Sequence, residues 1–206
     1  MLALMAFMTT NCNNDGKCRI SGTIPDRYDG KRIFLVPLTD NRREVVDSVV
    51  IENGRFEFVS DTLMMAKILV DYHYRDGVQP LLVVVEPGQV QVTIDSVSHA
   101  VGTPQNDSLD KWKGLKETDD IAYRTAMAEV YKLKGSGEQV ISQKLKDRAD
   151  SVHLVFKNYT RQMAVNLKEG LLHDFLKDMY PKTYKRMMPD STVVVFDADT
   201  HEPVSQ

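Results

Sequence analysis

The chain has 206 residues, of which 42% are hydrophobic and 27% are charged, and its net charge is −3. This composition is typical of globular proteins rather than disordered or membrane-spanning ones, and the length allows one large domain or two modest ones. Residues 1–102 carry 10 Lys/Arg against 13 Asp/Glu and residues 103–206 carry 16 of each, so neither half has the basic field that a nucleic-acid binder needs.

The first twelve residues, MLALMAFMTTNC, are an apolar run followed by small polar residues and a cysteine. The run is too short to cross a bilayer, and it has the form of the end of a secretion signal without the usual basic start. Cys12 is the expected lipidation site, because lipoproteins are cleaved directly before a cysteine that then carries the lipid. Residues 9–11 depart from the usual pattern before such a cysteine, and the alternative is an apolar N-terminus that docks on the fold. We expect residues 1–17 to be a signal remnant and tether, which would place the protein in the cell envelope, lipid-anchored and periplasmic or outer-membrane associated.

Cys18 is the only other cysteine. The sequence therefore contains no C-x-x-C pair, no four-cysteine zinc set and no disulfide framework. A thiol at the start of a strand is most often a small packed hydrophobe, and we expect that role for Cys18.

Between Cys18 and Thr103 the hydrophobic pattern has a period of two, with turn residues every 8–12 positions. The segments with this pattern are CRISGTIP, KRIFLVPL, DSVVI, RFEFV, MMAKILVDY, PLLVVVE and QVQVTID. Short alternating segments at this spacing predict antiparallel sheets in a sandwich or partly open barrel. We take residues 18–103 as a β sandwich.

The clearest turn signals lie within two of these stretches. In DSVVIENGRFEFV, Asn53-Gly54 can supply the positive φ angles of a tight hairpin turn, which allows Val49, Ile51, Phe56 and Phe58 to face the core. Pro87-Gly88 predicts a second turn, since proline sets φ at one corner and glycine relieves strain at the next.

After Gly102 the apolar period becomes helical. Thr103 and Pro104 can open a helix, with Asp107 or Ser108 as a rival cap. The first helical run contains Leu109, Trp112, Leu115, Ala126, Met127, Val130 and Tyr131. The second contains Ile141, Leu145, Ala149, Val152, Phe156, Tyr159 and Met163, spaced 4, 4, 3, 4, 3, 4 along one stripe.

The segment GSG at 135–137 separates these runs and predicts an antiparallel helical hairpin. A shorter buried helix follows from Leu171 and ends before Pro181. We expect a helical region over 104–188 and a C-terminal strand or tail over 189–206. The predicted fold class is therefore α+β, with an N-terminal antiparallel β sandwich followed by a helical region with a long helical hairpin.

Two surfaces are candidates for binding. Alternation in the segment around His73 sends Tyr72 and Tyr74 to one face of a strand, where paired rings can stack on a sugar or a partner loop. The alternative is that these residues only cover the rim of a sheet. The helical hairpin is the second candidate, because so long a rod is hard to bury on one small sandwich and can pair with another copy as a homodimer. The alternative there is packing of the hairpin on its own sheet.

Several motifs occur in an order that resembles a known domain. These are ISG at 20–22, KRIFL at 31–35, DS at 47–48, NGRFEF at 53–58, VEPG at 85–88 and GTPQND at 102–107. Together they resemble a domain of unknown function that precedes thioredoxin-like (AhpC/TSA-type) modules in secreted lipoproteins of gut-type anaerobic bacteria. The resemblance implies an envelope location and a β fold. It does not bring redox activity to these residues, because no cysteine follows Cys18 and a thiolate nucleophile is required.

The segment VVVFDADT at 193–200 has the form of the nucleophile loop of a haloacid-dehalogenase-type phosphatase. Such an enzyme needs this aspartate at the end of a central parallel strand, and it needs later strands that deliver further groups to the phosphate and the metal. Only six residues follow, and the earlier strands are predicted to be antiparallel. We therefore expect a C-terminal strand or hairpin that turns after Asp197 toward Pro203 and Val204.

Other catalytic patterns are equally weak. The five histidines form no H-x-x-x-H or H-E-x-x-H pair, and the short clusters Asp150/His153 and Asp197/Asp199/His201 are better explained as surface pairs. There is no G-x-S-x-G serine, and the segment GSG lacks the Lys-Ser/Thr of a phosphate loop. We expect a non-catalytic envelope lipoprotein for binding or assembly, with no cofactor, no metal, no nucleic-acid partner and a membrane link only through the lipid. The alternatives are an accessory to an envelope thiol-redox (thioredoxin-like) system and an enzyme whose site no motif reveals.

Overall fold

The computed structural model describes residues 15–40, 42–70 and 80–204. The chain divides into two units, Met1–Asp107 and Ser108–Gln206. The first unit contains the strands of the predicted sandwich, and the second contains nearly all of the helical hairpin.

The described part of the first unit forms two four-stranded sheets. Its strands are β1 Cys18–Thr23, β2 Arg32–Pro37, β3 Asp47–Val50, β4 Arg55–Ser60, β5 Met64–Val70, β6 Leu81–Val85, β7 Gly88–Thr93 and β8 His99–Val101. One sheet has the order β4-β1-β7-β8 and the other has the order β3-β2-β5-β6. The two sheets form the β sandwich that the alternating pattern predicts.

One core fills the space between the sheets. Ile20, Phe58 and Val90 from the first sheet and Ile33 and Ile68 from the second are all at most 1% exposed. Buried and exposed residues alternate along β4 and β7, whereas β6 is hydrophobic throughout and four of its five residues are buried. Cys18 is also buried in this core, which confirms its role as a packed residue.

The pairing of the strands contains one feature that the sequence does not predict. β1 pairs with β4 in the antiparallel sense but with β7 in the parallel sense. Alternation of hydrophobic residues only tells which face of a strand is buried, so it carries no information on the direction of the neighbouring strand.

The Asn53-Gly54 turn forms as predicted and is closed by a bridge between Glu52 and Arg55, but beyond this bridge its strands do not pair as a hairpin. Asn53 has φ 52° and Gly54 has φ 66°, the positive values of the expected turn. β3 then pairs with β2 in one sheet, whereas β4 pairs with β1 in the other. The predicted pairing of the two strands as a hairpin is therefore wrong. The turn instead takes the chain from one sheet of the sandwich to the other, and Ile51 and Phe58 on its two sides both lie in the core.

The second unit is built on helices α1 Pro104–Gly135, α2 Gln139–Leu167 and α3 Leu171–Met179. The long helices α1 and α2 are joined at Gly137, which has φ 86°, and they form the predicted hairpin. No helix among the described residues combines the length and apolarity needed to cross a membrane.

The end of the second unit is a small antiparallel sheet. Its strands are β9 Thr183–Met187 and β10 Val193–Asp197. β9 lies inside the stretch 104–188 that was predicted to be helical, and this part of the prediction is wrong. Pro181 prevents continuation of the helix, and Thr183 and Tyr184 are residue types that favour strands.

Candidate functional site

Two of the predicted sites cannot be placed. The lipidation residue Cys12 and the surface residues Tyr72, His73 and Tyr74 all lie outside the described residues.

The segment VVVFDADT at 193–200, which resembles the nucleophile loop of a phosphatase, forms part of a hairpin. β10 pairs antiparallel with β9, and after Asp197 the chain turns back so that the Val204 N–H donates to the Val195 carbonyl. The Asp197 carboxylate accepts the backbone N–H groups of Asp199 and Thr200, both at 2.8 Å. The pKa of Asp197 is lowered by these two bonds. The predicted hairpin is confirmed, and Asp197 closes its own loop instead of pointing from the end of a parallel strand.

The second aspartate of this segment is held by two cations of α2. The guanidinium of Arg161 donates to both carboxylate oxygens of Asp199, at 2.6 and 3.1 Å, and Nζ of Lys157 lies 3.1 Å from Oδ1. Arg161 also donates to the carbonyl of Tyr180, 2.9 Å away. The predicted pairing of Asp199 with His201 is thus replaced by an ion pair that ties the final hairpin to α2.

This ion pair predicts an acid-dependent loss of stability. Arg161, and then Lys157, lower the pKa of Asp199 from 3.8 to about 2. A lowered folded-state pKa stabilises the fold above the unfolded value, so this stability is complete above pH 4 and is lost as the pH falls through about 2. We expect Asp199→Asn to lower the free energy of unfolding by up to about 2 kcal/mol at neutral pH.

Chemical denaturation of Asp199→Asn and wild type at several pH values checks this expectation. The difference in unfolding free energy should shrink as the pH falls toward 2 and disappear below it. Asp178→Asn is the control, since Asp178 is exposed on α3. An equal effect of both substitutions would contradict the role of the ion pair.

A second polar cluster joins α1 to α2. Nδ1 of His153 lies 2.6 Å from Oδ2 of Asp119, a carboxylate that is only 8% exposed. Because a carboxylate can only accept, Nδ1 carries the proton of this bond. The pairing of His153 with Asp150 that their spacing suggested is not formed.

Asp150 instead takes part in a neighbouring network. It accepts from the hydroxyl of Tyr123 at 2.9 Å and from Nζ of Lys146. The hydrogen bond from Lys146 is the main reason that the pKa of Asp150 is lowered. Among the described residues no group of three or more His, Cys, Asp and Glu side chains could hold a metal ion. The bonds from Tyr123 to Asp150 and from His153 to Asp119 each join α1 to α2.

The face of α2 that packs on α1 is unusually polar. It contains Ser142, Lys146, Ala149, His153, Phe156 and Thr160, spaced 4, 3, 4, 3, 4, and we call it the inner seam. Ser142 donates to the Val130 carbonyl at 3.0 Å, and Thr160 accepts from Nε1 of Trp112 at 3.0 Å. Each polar group thus finds a partner, and the small side chains let the helices approach closely.

A second seam lies one residue away on the same helix. It contains Ile141, Leu145, Arg148, Val152, Val155 and Tyr159, again spaced 4, 3, 4, 3, 4, and we call it the outer seam. Five of its six members are hydrophobic, yet all except Leu145 are exposed, and Val155 is 70% exposed. A spacing that alternates four and three is the a/d pattern of a coiled coil.

The outer seam borders a groove between α1 and α2. The groove has a volume of about 170 Å³ and is lined mainly by the small or apolar side chains of Ala122, Ala126, Leu145, Ala149 and Val152. Arg148 also lines it, and its guanidinium makes no hydrogen bond or ion pair within the described part of the chain. This arrangement is suited to receiving apolar side chains from outside.

The first turn of α1, residues 104–107, belongs to the first unit and is held to β6 by buried polar contacts that we call the junction. Asn106 is fully buried, accepts the backbone N–H of Val84 at 2.9 Å and donates to the Val84 carbonyl at 2.8 Å. Its amide also donates to the hydroxyl of Thr103 at 2.8 Å. One amide side chain thus satisfies both backbone groups of a residue in β6.

Neighbouring side chains complete the junction. Glu86 accepts from the backbone N–H and the side-chain amide of Gln105, and Asp107 accepts from the Gly102 N–H at 2.8 Å. Gly102 has φ 111°, and a Cβ there would lie 2.5 Å from the Gln89 carbonyl oxygen. Only glycine fits this position without a shift of the backbone.

A comparison with known families matches part of the chain. Residues 18–109 match a domain of unknown function (DUF4369). No curated protein and no solved structure matches the chain.

The DUF4369 match covers the sandwich and the start of α1 and ends at residue 109. The motifs VEPG and GTPQND lie within it, and the contacts of Glu86, Gly102 and Asn106 give them a structural role at the junction. The outer seam of α2 lies beyond the DUF4369 match, so the match gives no information on that surface.

Sequence reasoning missed several residues that matter in this structure. Asp119 and Arg161 were not singled out, because their partners are 34 and 38 positions away. A signal for Asp119 was present, since it stands seven residues after Trp112 on the buried face of α1. A polar residue at an apolar spacing indicates a buried partner.

Proposed function

We propose that this protein is a non-catalytic, lipid-anchored component of the cell envelope that acts in binding or assembly through the outer seam of α2. The observation that carries the proposal is the exposure of Ile141, Val152, Val155 and Tyr159 on one continuous stripe of α2. Contiguous apolar patches of this kind mark interaction surfaces in soluble proteins.

The distribution of residues on α2 supports this assignment. The inner seam contains serine, lysine, histidine and threonine, whereas the outer seam contains five hydrophobic residues. Burial of the exposed half of a valine or isoleucine contributes about 1 kcal/mol. Burial of the outer seam therefore offers several kcal/mol to a partner, which must exceed the cost of ordering and association.

The envelope location is supported by the N-terminal sequence, where an apolar run precedes Cys12. A lipid anchor confines the chain to a surface, which raises its effective concentration toward partners on the same membrane. The second candidate, an accessory to a thioredoxin-like protein, is supported only by the resemblance of the sandwich to domains that precede such modules.

Sedimentation of protein extracted from the membrane fraction of cells tests the proposal. We expect wild type to sediment faster than a single chain extracted in the same detergent. Val155→Lys should lose this complex, because it places a charge in the middle of the outer seam. Val165→Lys is the matched control, since Val165 is 65% exposed and lies on another face of α2.

Two further outcomes are decisive. Cys12→Ser should move the protein out of the membrane fraction, and retention there would contradict the anchor. A wild-type protein that sediments as a single chain even at the highest protein concentration, or a complex that survives Val155→Lys, would contradict the binding role of the outer seam. Mass analysis of the complex distinguishes a second copy from a thioredoxin-like partner.

A further inference from the structure

We propose that the outer seam pairs with the outer seam of a second copy of this chain, with the two α2 helices antiparallel. This inference rests on the proposed function, because it names the partner of the same surface. It commits to one register, in which the residue numbers of facing positions add up to 300.

The register follows from the sequence of the seam. In an antiparallel pair Ile141 faces Tyr159 of the second copy, and Leu145 faces its Val155. Arg148 faces Val152 in the same way. In this register each of the six seam residues faces a seam residue of the second copy. The contact is isologous, as a two-fold dimer requires.

The charge of Arg148 disfavours a parallel pair with matched register. In a parallel pair with matched register, Arg148 would face Arg148 of the second copy inside the seam. Like charges in such a position are destabilising, and a single polar residue in a seam is known to specify the register of a coiled coil. In the antiparallel register Arg148 packs its methylene groups on Val152 and extends its guanidinium to solvent.

The geometry of the hairpin permits this pairing. The outer seam is one residue away from the inner seam, so it points about 100° away from α1 around the helix. Helices in a four-helix bundle contact two neighbours at about this angle, so two hairpins can join through α2 and its copy. The groove lined by Ala122 and Ala126 lies beside the seam and leaves room for side chains of the second copy.

The size of the contact sets its strength. The seam from Ile141 to Tyr159 is about 27 Å long. A contact between two single helices of this length is smaller than the interfaces of stable dimers, which bury about 1,200–2,000 Å². The dimer is therefore weak and depends on concentration in solution, and confinement on a membrane surface favours it.

Disulfide cross-linking tests the register. Two proteins are prepared in a background of Cys12→Ser and Cys18→Ala, one with Ile141→Cys and the other with Tyr159→Cys. Each is oxidised alone and after mixing, and circular dichroism first checks that both are folded. The proposed register brings position 141 of one copy next to position 159 of the other, so only the mixture should give a cross-linked dimer.

The outcomes separate this inference from the proposed function. Adding Val155→Lys to both proteins should abolish the cross-link, whereas adding Val165→Lys should leave it. Cross-linking of either protein alone, or an uncross-linked mixture at high concentration, would overturn the antiparallel dimer. If a complex sensitive to Val155→Lys is still found in the envelope, the outer seam binds a different protein and only the proposed function survives.

Discussion

Asn106→Asp is expected to lower the free energy of unfolding by about 3 kcal/mol. Asn106 is fully buried and its amide nitrogen donates to the Val84 carbonyl and to Thr103. An aspartate cannot donate these bonds when it is ionised, and it places a charge where no solvent reaches. Its position in the first turn of α1 favours a negative charge by about 0.5–1 kcal/mol, which offsets only part of the loss.

The matched control is Asn166→Asp, which makes the same chemical change on the exposed surface of α2. Asn166 accepts from Gln162, and an aspartate there can still accept this bond. We expect a change within about 1 kcal/mol. Denaturant unfolding followed by circular dichroism measures both. Equal midpoints for Asn106→Asp and wild type would show that the junction does not depend on the buried amide.

Trp112→Ala is expected to have the largest effect in the second unit, a loss of about 3–5 kcal/mol. Trp112 is 1% exposed, and its ring contacts Phe156 on α2 and Phe175 on α3, with ring centres 6.2 and 5.8 Å away. Removal of the ring leaves a cavity where the three helices meet. Because the structure around such a cavity relaxes only in part, the cost should be high.

Trp112→Phe separates packing from hydrogen bonding. The phenyl ring keeps most of the contacts but loses the bond from the indole N–H to Thr160. Thr160 still donates to the Phe156 carbonyl, so its hydroxyl is not left without a partner. We expect a loss of about 1–2 kcal/mol. Circular dichroism is the suitable probe, because either substitution removes the only tryptophan of the chain and with it the tryptophan fluorescence. If alanine and phenylalanine have the same effect, the ring does not fill the core.

For the phosphatase-like segment at 193–200, the sequence predicted the local structure but not the partners of its side chains. The antiparallel character of its surroundings was sufficient to predict a C-terminal hairpin, and this hairpin is present. The partners of Asp199 could not be predicted, because Arg161 and Lys157 reach it from α2 across about forty residues of sequence. Spacing along the chain indicates only neighbours on the same element.

The apolar stripe predicted for α2 shows the opposite case. Six of its seven residues divide between the two seams: Ala149 and Phe156 lie on the inner seam, whereas Ile141, Val152 and Tyr159 lie on the outer seam and remain exposed. The true inner face contains polar residues such as Ser142 and Thr160, whose partners lie on another helix. The hydrophobicity pattern therefore predicted the helix correctly, but the face of α2 that packs on α1 differs from the predicted face by about one residue.

The sequence by itself determined the classes and order of the main elements: a sandwich with period two, a helical hairpin with a period of three to four, and the glycine turns between them. These features are local, because periodicity and positive φ depend only on residues close together in the chain. The tertiary structure decided which strands pair in parallel, which face of α2 is buried and which aspartates are tied to cations. These features depend on partners that are distant in sequence, and a buried polar group becomes recognisable only when its partner is brought beside it.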